Sequence, residues 1–145
     1  MLDRPIKEVM QRRKLLLAPP TTVVAKAAKL MAARNVGAVL VVDGEQLVGI
    51  FTERDALIRV LAHGLDADTT PIGEVMTREP QTVDPEKPFG YALMLMHESG
   101  FRHLPVVVQG KPVGIVSARS AMDPELEEFV SEAQRRVHYR ESGGT

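Results

Sequence analysis

Cysteine and tryptophan are both absent from this 145-residue chain. Without Cys there is no disulfide, no thiolate metal site and no thiol nucleophile, and the chain suits a reducing compartment. Aromatic residues make up only 4%, so any core must be aliphatic, built from Val, Leu, Ile, Ala and Met. Long apolar runs are missing too. The purely apolar runs are about the size of Val39 to Val42, far short of the roughly 18 residues that span a bilayer. The opening MLDRPIKEVM lacks the apolar stretch of a secretory signal. Neither sign of charge dominates. The formal net charge is −1, so no global field draws the chain to nucleic acid or to a membrane surface. The expectation from these absences is a soluble, cytoplasmic protein with neither nucleic acid nor membrane as partner. The sequence also has no Walker loop, no dinucleotide glycine fingerprint and no nucleophile elbow. No catalytic residue is therefore assigned, and the chain reads as a binding protein rather than an enzyme. His97 and His103 are not at a metal-ligand spacing, so no metal is assigned either.

What the chain does have is 44% hydrophobic residues, enough for a core, and an internal repeat. PIKEVM (Pro5 to Met10) returns as PIGEVM (Pro71 to Met76), five of six residues identical at an offset of 66. VVDGEQLVGIFTERD (Val41 to Asp55) returns as VVVQGKPVGIVSARS (Val106 to Ser120) at an offset of 65. Two ordered matches at nearly one spacing indicate two copies of one unit.

Within the first copy, Leu15 to Leu17 reads as a short strand ended by Pro19 and Pro20. Val24 to Arg34 has helical spacing and no Gly or Pro. Val39 to Val42 reads as a strand buried on both faces. Asp43-Gly44 signals a hairpin, Leu47 to Phe51 is its return strand, and Thr52 opens a second helix through Ala56, Leu57, Val60 and Leu61. The second copy follows the same order, with Thr82-Val83, a helix over Phe89 to Ser99, strands near Leu104 to Val108 and Val113 to Val116, then a helical turn. The fold class is therefore α/β (α+β), with two pseudo-symmetric β-α-β-β-α units packed sheet to sheet. The units span residues 5–62 and 71–122, joined by a linker at 63–70. Asp123 as N-cap, Pro124, and an apolar stripe of Leu126, Phe129, Val130, Ala133 and Val137 predict a C-terminal helix over 123–140. Residues 141–145 read as a disordered tail.

Paired units of this kind, each ending in a Gly-apolar-x-[Ser/Thr]-x-x-[Asp/Asn] segment after an apolar strand, resemble the cystathionine-β-synthase (CBS) domain family. GIFTERD (Gly49 to Asp55) matches that segment fully, and RHLPVV (Arg102 to Val107) is similar to the family's entry into its central strand. Two such domains form a Bateman module. The resemblance implies a regulatory module that binds an adenosine-bearing ligand (AMP, ADP, ATP, S-adenosylmethionine or NAD) in the cleft between repeats. It also implies a homodimer, and with no catalytic domain attached the response falls to an effector protein not yet identified.

Thr52 to Asp55 supports two readings. The pair is close to a capping box, with Asp where Glu is usual. The same geometry presents free N–H groups to a phosphate. Thr52 then donates its hydroxyl to that phosphate, Arg54 adds charge, and the Asp55 carboxylate accepts from ribose hydroxyls. In the second copy Ser117 keeps the hydroxyl and Arg119 the guanidinium, but Ser120 replaces the acid, which predicts a weaker, empty or differently specialised second pocket. Arg102 and His103 stand where the first copy has Gly37 and Ala38, and are expected to reach phosphate; the bland alternative is a pair of solvated residues at a strand end. Val36, Ala38 and Pro105 are candidates to pack on adenine, or else plain core. A ligand-free structural or dimerisation module remains the alternative to a nucleotide sensor.

Overall fold

Side chains alternate across a strand, and that alternation organises both halves of the molecule. In the computed structural model, which describes residues 2–12, 15–118, 133 and 135–136, the chain begins with a one-turn helix, α1 (Ile6–Val9). The first repeat follows with β1 (Leu17–Ala18), α2 (Val24–Arg34), β2 (Ala38–Asp43) and β3 (Gln46–Thr52). Helix α3 (Glu53–Asp55) runs directly into a π-helical stretch over Ala56–Leu61. Then come α4 (Ile72–Val75), β4 (Thr77–Arg78), α5 (Phe89–Ser99), β5 (His103–Val108) and β6 (Lys111–Ser117). Strands β1-β2-β3-β4 form one sheet in that order, and β5-β6 form a second. β1 runs parallel to β2, and the remaining pairs are antiparallel.

On one face of the first sheet, Val39, Val41 and Phe51 pack against Val24, Ala27 and Met31 of α2. The second repeat does the same with Leu104, Val106 and Val116 against Phe89, Ala92, Leu95 and Met96 of α5. The opposite faces meet each other: Ala38, Leu40 and Ile50 of the first repeat join Ile115 of the second. The sheets thus face one another across an aliphatic seam with helices outside, the packing the sequence predicts.

The pseudo-symmetry extends to small irregularities. Each hairpin shifts register at the same place, between Val41 and Val42 and between Val106 and Val107. The first hairpin turns at Gly44 with φ 62°, the second at Gln109 and Gly110 with φ 51° and 78°. Such positive-φ turns match the right-handed twist of the strands.

The two PI-x-EVM segments are exchanged between repeats. Ile6 of α1 is buried in the core of the second repeat, whereas Ile72, Val75 and Met76 are buried in the core of the first. The backbone just before each segment caps the opposite repeat's main helix. Neither α2 nor α5 has a side-chain cap. Instead Val24 N donates to Thr70 O (2.9 Å) and Ala25 N to Ala67 O (2.9 Å), while Phe89 N donates to Arg4 O (2.7 Å) and Gly90 N to Leu2 O (2.9 Å). These bonds satisfy N–H groups that a helix cannot satisfy internally. Each segment then lays a methionine over the glycine of the other repeat's return strand. A methyl group on Gly49 would overlap the Met76 sulfur, and one on Gly114 would sit 2.5 Å from the Met10 sulfur. Glycine at both sites is thus a packing requirement.

Three local expectations differ. The first strand pairs at Leu17–Ala18, opposite Leu40 and Val41, rather than over Leu15 to Leu17. Thr82-Val83 contributes a single bridge, Val83 to Val106, in place of a strand. The helix after Thr52 widens: Ala62 N donates to Leu57 O (2.9 Å) and Leu65 N to Val60 O (3.0 Å), each five residues back. That wider turn buries Val60 but leaves Leu57 and Leu61 58% and 72% exposed. Of the predicted C-terminal helix, the described residues Ala133, Arg135 and Arg136 are helical and exposed. The rest of it, the tail at 141–145, Arg119 and Ser120 lie outside the described residues. Among the described residues no helix is long and apolar enough to cross a membrane.

Candidate functional site

Strand β3 ends at Thr52, and there the chain turns into α3. The turn is fixed by Glu53 N donating to Gly37 O (3.0 Å), and by a full capping box. Asp55 N donates to Thr52 Oγ1 (3.3 Å), and Thr52 N donates to Asp55 Oδ2 (2.9 Å). The Thr52 hydroxyl lies 3.1 Å from the same Oδ2 and donates to it. The other carboxylate oxygen, Oδ1, lies 3.4 Å from Arg59 Nε. Arg59 in turn donates to Met76 O (3.0 Å), tying the exchanged α4 segment to the cap. Asp55 is buried, at 8% exposure.

The cap half of the double reading is therefore present in full. Its geometry also sets terms for the ligand half. In this arrangement the Thr52 proton and both Asp55 oxygens are engaged locally, so a ribose or phosphate has to share these atoms or displace Arg59. A carboxylate oxygen has two lone pairs; Oδ2 already accepts twice from Thr52, so Oδ1 is the atom that can take a second donor.

The second repeat repeats the turn with different side chains. Ala118 N donates to Arg102 O (2.7 Å), as Glu53 does to Gly37. His103 stands opposite Ser117 in the β5–β6 register, as Ala38 stands opposite Thr52. Here the repeats come together. A Cβ placed on Gly37 would lie 3.2 Å from both Cε1 and Nε2 of His103, and 3.1 Å from Glu53 Oε1. The imidazole of the second repeat thus lies tight against Gly37, in the notch left by its missing side chain, with the Glu53 carboxylate beside the same glycine. Burial pushes the His103 pKa below its usual value; Glu53 pulls it up and Arg102 pushes it down, and burial outweighs the attraction. The physical reason is exposure. His103 is half-buried while Glu53 is exposed, so water screens the favourable pair more than it relieves the ring's desolvation.

The predicted site residues fall into two groups. Thr52 and Asp55 form the turn after β3, His103 and Ser117 face each other in the register of the second hairpin, and Arg102 and Arg54 are exposed beside them in the chain. The three proposed adenine contacts lie deeper. Val36 is half-buried against the first repeat's core. Ala38 belongs to the aliphatic seam, and Pro105 is fully buried opposite Ile115. Two participants carry no assignment in the sequence reading, Gly37 and Glu53. Their signal was a size complementarity: Gly37-Ala38 is small where Arg102-His103 is large. The far end of the seam is also joined. Leu47 N donates to Gly110 O (2.9 Å), the Gln46 side chain lies over Gly110, and Lys111 Nζ pairs with Glu45 Oε2 at 2.8 Å.

Comparison with known proteins agrees with this architecture. The CBS domain family model matches residues 6–62 and 72–124. A mitochondrial CBS domain-containing protein of Arabidopsis thaliana, CBSX3, is 38% identical over 125 residues, covering 83% of this chain and 61% of that relative. The chain thus spans less than two thirds of that relative's length. A signal-transduction protein with CBS domains from Burkholderia ambifaria superposes with a TM-score of 0.75 at 31% identity, over 82% of this chain and 91% of that one. A CBS domain protein of Pyrobaculum aerophilum, solved in complex with AMP, superposes with a TM-score of 0.73 at 26% identity, over 81% and 89%.

Proposed function

This chain belongs to the CBS-domain family, and on that premise we propose that it is a regulatory module binding an adenosine nucleotide between its two repeats. The carrying observation is the convergence at Gly37, where Glu53 of the Thr52–Asp55 turn in one repeat and His103 of the other lie against the same glycine. A ligand lying across that junction contacts both repeats at once, so its occupancy biases how they pack. Signalling requires that difference in affinity between two packings. The AMP complex of the Pyrobaculum relative supports an adenine nucleotide as the class. In this reading Asp55 takes the ribose, Thr52, Arg54, Arg102, His103, Ser117 and Arg119 serve the phosphate side, and Val36, Ala38 and Pro105 line the apolar side. The protein works as a homodimer in which no bond of the ligand is broken, and passes the signal to an effector protein.

Calorimetric titration of the full chain with AMP, ADP, ATP, NAD and S-adenosylmethionine tests this. At least one is expected to bind, and Arg102→Ala is expected to weaken a nucleotide about ten- to a hundred-fold, corresponding to one charge-assisted hydrogen bond of roughly 1.5–3 kcal/mol. Adenosine affinity should change little. Failure of all five ligands would reject the proposal.

A second reading has its own observation. The engagement of Asp55 with Thr52 and Arg59 is what a structural or dimerisation module without ligand requires. Absence of binding together with an intact, cooperative fold would select it.

A further inference from the structure

Most of the seam between the repeats is aliphatic, and aliphatic packing is indifferent to pH. The Gly37 end is different. There the filler is an imidazole, the side chain that titrates nearest to neutrality. The His103 ring lies so close to Gly37 that a Cβ there would press on it at 3.2 Å. At the equivalent positions of the other half, Arg102 stands for Gly37 and Ala38 for His103, with no ring and no acid, since Ala118 stands where Glu53 would be. The device is therefore built once per chain.

We infer that His103 is a proton-operated latch on the seam: as a neutral ring it fills the Gly37 notch and keeps the repeats closed, and on protonation it loosens them.

The charged groups facing the ring among the described residues are Glu53, on the helix packed against it, and Arg102, its chain neighbour. They oppose each other. Burial tips the balance, so the closed seam holds the ring's proton less tightly than water does. By linkage, the closed state binds fewer protons than the open one. The stability of the seam is accordingly full above the ordinary histidine value of 6.5 and is lost as pH falls from there toward the closed-state value. Glu53 limits the loss by favouring the charged ring. Removing that carboxylate makes the latch more acid-sensitive and moves its end point to lower pH. None of this requires a bound nucleotide, so the latch stands or falls separately from the ligand reading.

Two measurements on the full chain test it. The first is an NMR titration of the histidine rings, with His103 identified by its disappearance in His103→Gln. Its midpoint is expected below 6.5, and lower still in Glu53→Gln. The second is amide hydrogen exchange at Leu47, whose N–H is bonded across the seam to Gly110 O. The ratio of wild-type to His103→Gln exchange is expected to be near one at about pH 7.5 and to rise by up to about tenfold near pH 5.5, where an open ring is mostly charged. Comparison with Glu53→Gln, which leaves the ring in place, covers the case in which His103→Gln packs poorly. A His103 midpoint at or above 6.5 overturns the latch. So does a Leu47 exchange ratio that is the same at both pH values.

Discussion

Asp55 shows how a single side chain can answer two questions in the same place. Its carboxylate closes the capping box with Thr52 and meets Arg59 on the next turn. The sequence made a cap and a ligand contact equally natural, because both use an acid three residues after a hydroxyl. Only the first is a local property. Thr52→Ala is expected to cost about 1 kcal/mol, the usual value of a lost N-cap, measured as a lower midpoint in chemical denaturation with an unchanged slope. Gly49 makes the complementary point. Nothing about it in sequence says that a methionine from 27 residues further along must lie over it, yet Met76 does. Gly49→Ala is expected to destabilise by about 1–3 kcal/mol, as overpacking does. The same change at Gly64, where a Cβ would meet nothing within 4 Å, carries only the cost of its positive φ of 67°.

Among the elements, α1 and α4 are one turn long and cannot be stable alone. They exist because each drops an isoleucine with 0% exposure into the other repeat's core, while the residues just before each one lend backbone carbonyls to a helix that has no side-chain cap. Ile72→Ala is therefore expected to cost about 2–5 kcal/mol, the range for deleting a buried aliphatic side chain. In hydrogen exchange it should first release the amides of the first repeat's α2, although Ile72 opens the second repeat in sequence. Early loss in α5 instead would contradict the exchanged packing. The long helices were legible in the sequence: Val24–Arg34 and Phe89–Ser99 match their predicted bounds, because a sustained helical period with αL caps at Asn35 and Gly100 leaves little choice. The π-helical stretch was not legible. Its wide turns depend on Val60 reaching the core while Asp55 stays bonded to Thr52, which is a tertiary constraint.

At the scale of the whole molecule, the surface of the described residues carries exposed apolar side chains. Leu57, Ile58 and Leu61 are 58%, 43% and 72% exposed on the π-helical stretch, and Tyr91 and Met94 are 38% and 47% exposed on α5. Exposed apolar groups gathered on helices favour association, which supports the homodimer in the proposed function. Light scattering is expected to give twice the 15.9 kDa mass of the chain, and Leu57→Asp with Leu61→Asp to reduce it to a single chain. A wild-type protein that scatters as one chain would remove the dimer from that reading.

By itself the sequence determined the repeat, the alternation that gives each sheet two apolar faces, the helix spans and the Thr52–Asp55 turn. These follow from short-range periodicity and from stereochemistry within a few residues. Tertiary structure alone decided which repeat each PI-x-EVM segment serves, and it does so at the one position where the two differ: Gly73 lies where a Cβ would come 2.8 Å from Pro20 Cβ, whereas Lys7 reaches Glu86. It also decided that the His103 ring lies in the notch left by Gly37 beside Glu53. That contact joins residues 66 positions apart, and no local rule relates them until two sheets are laid face to face.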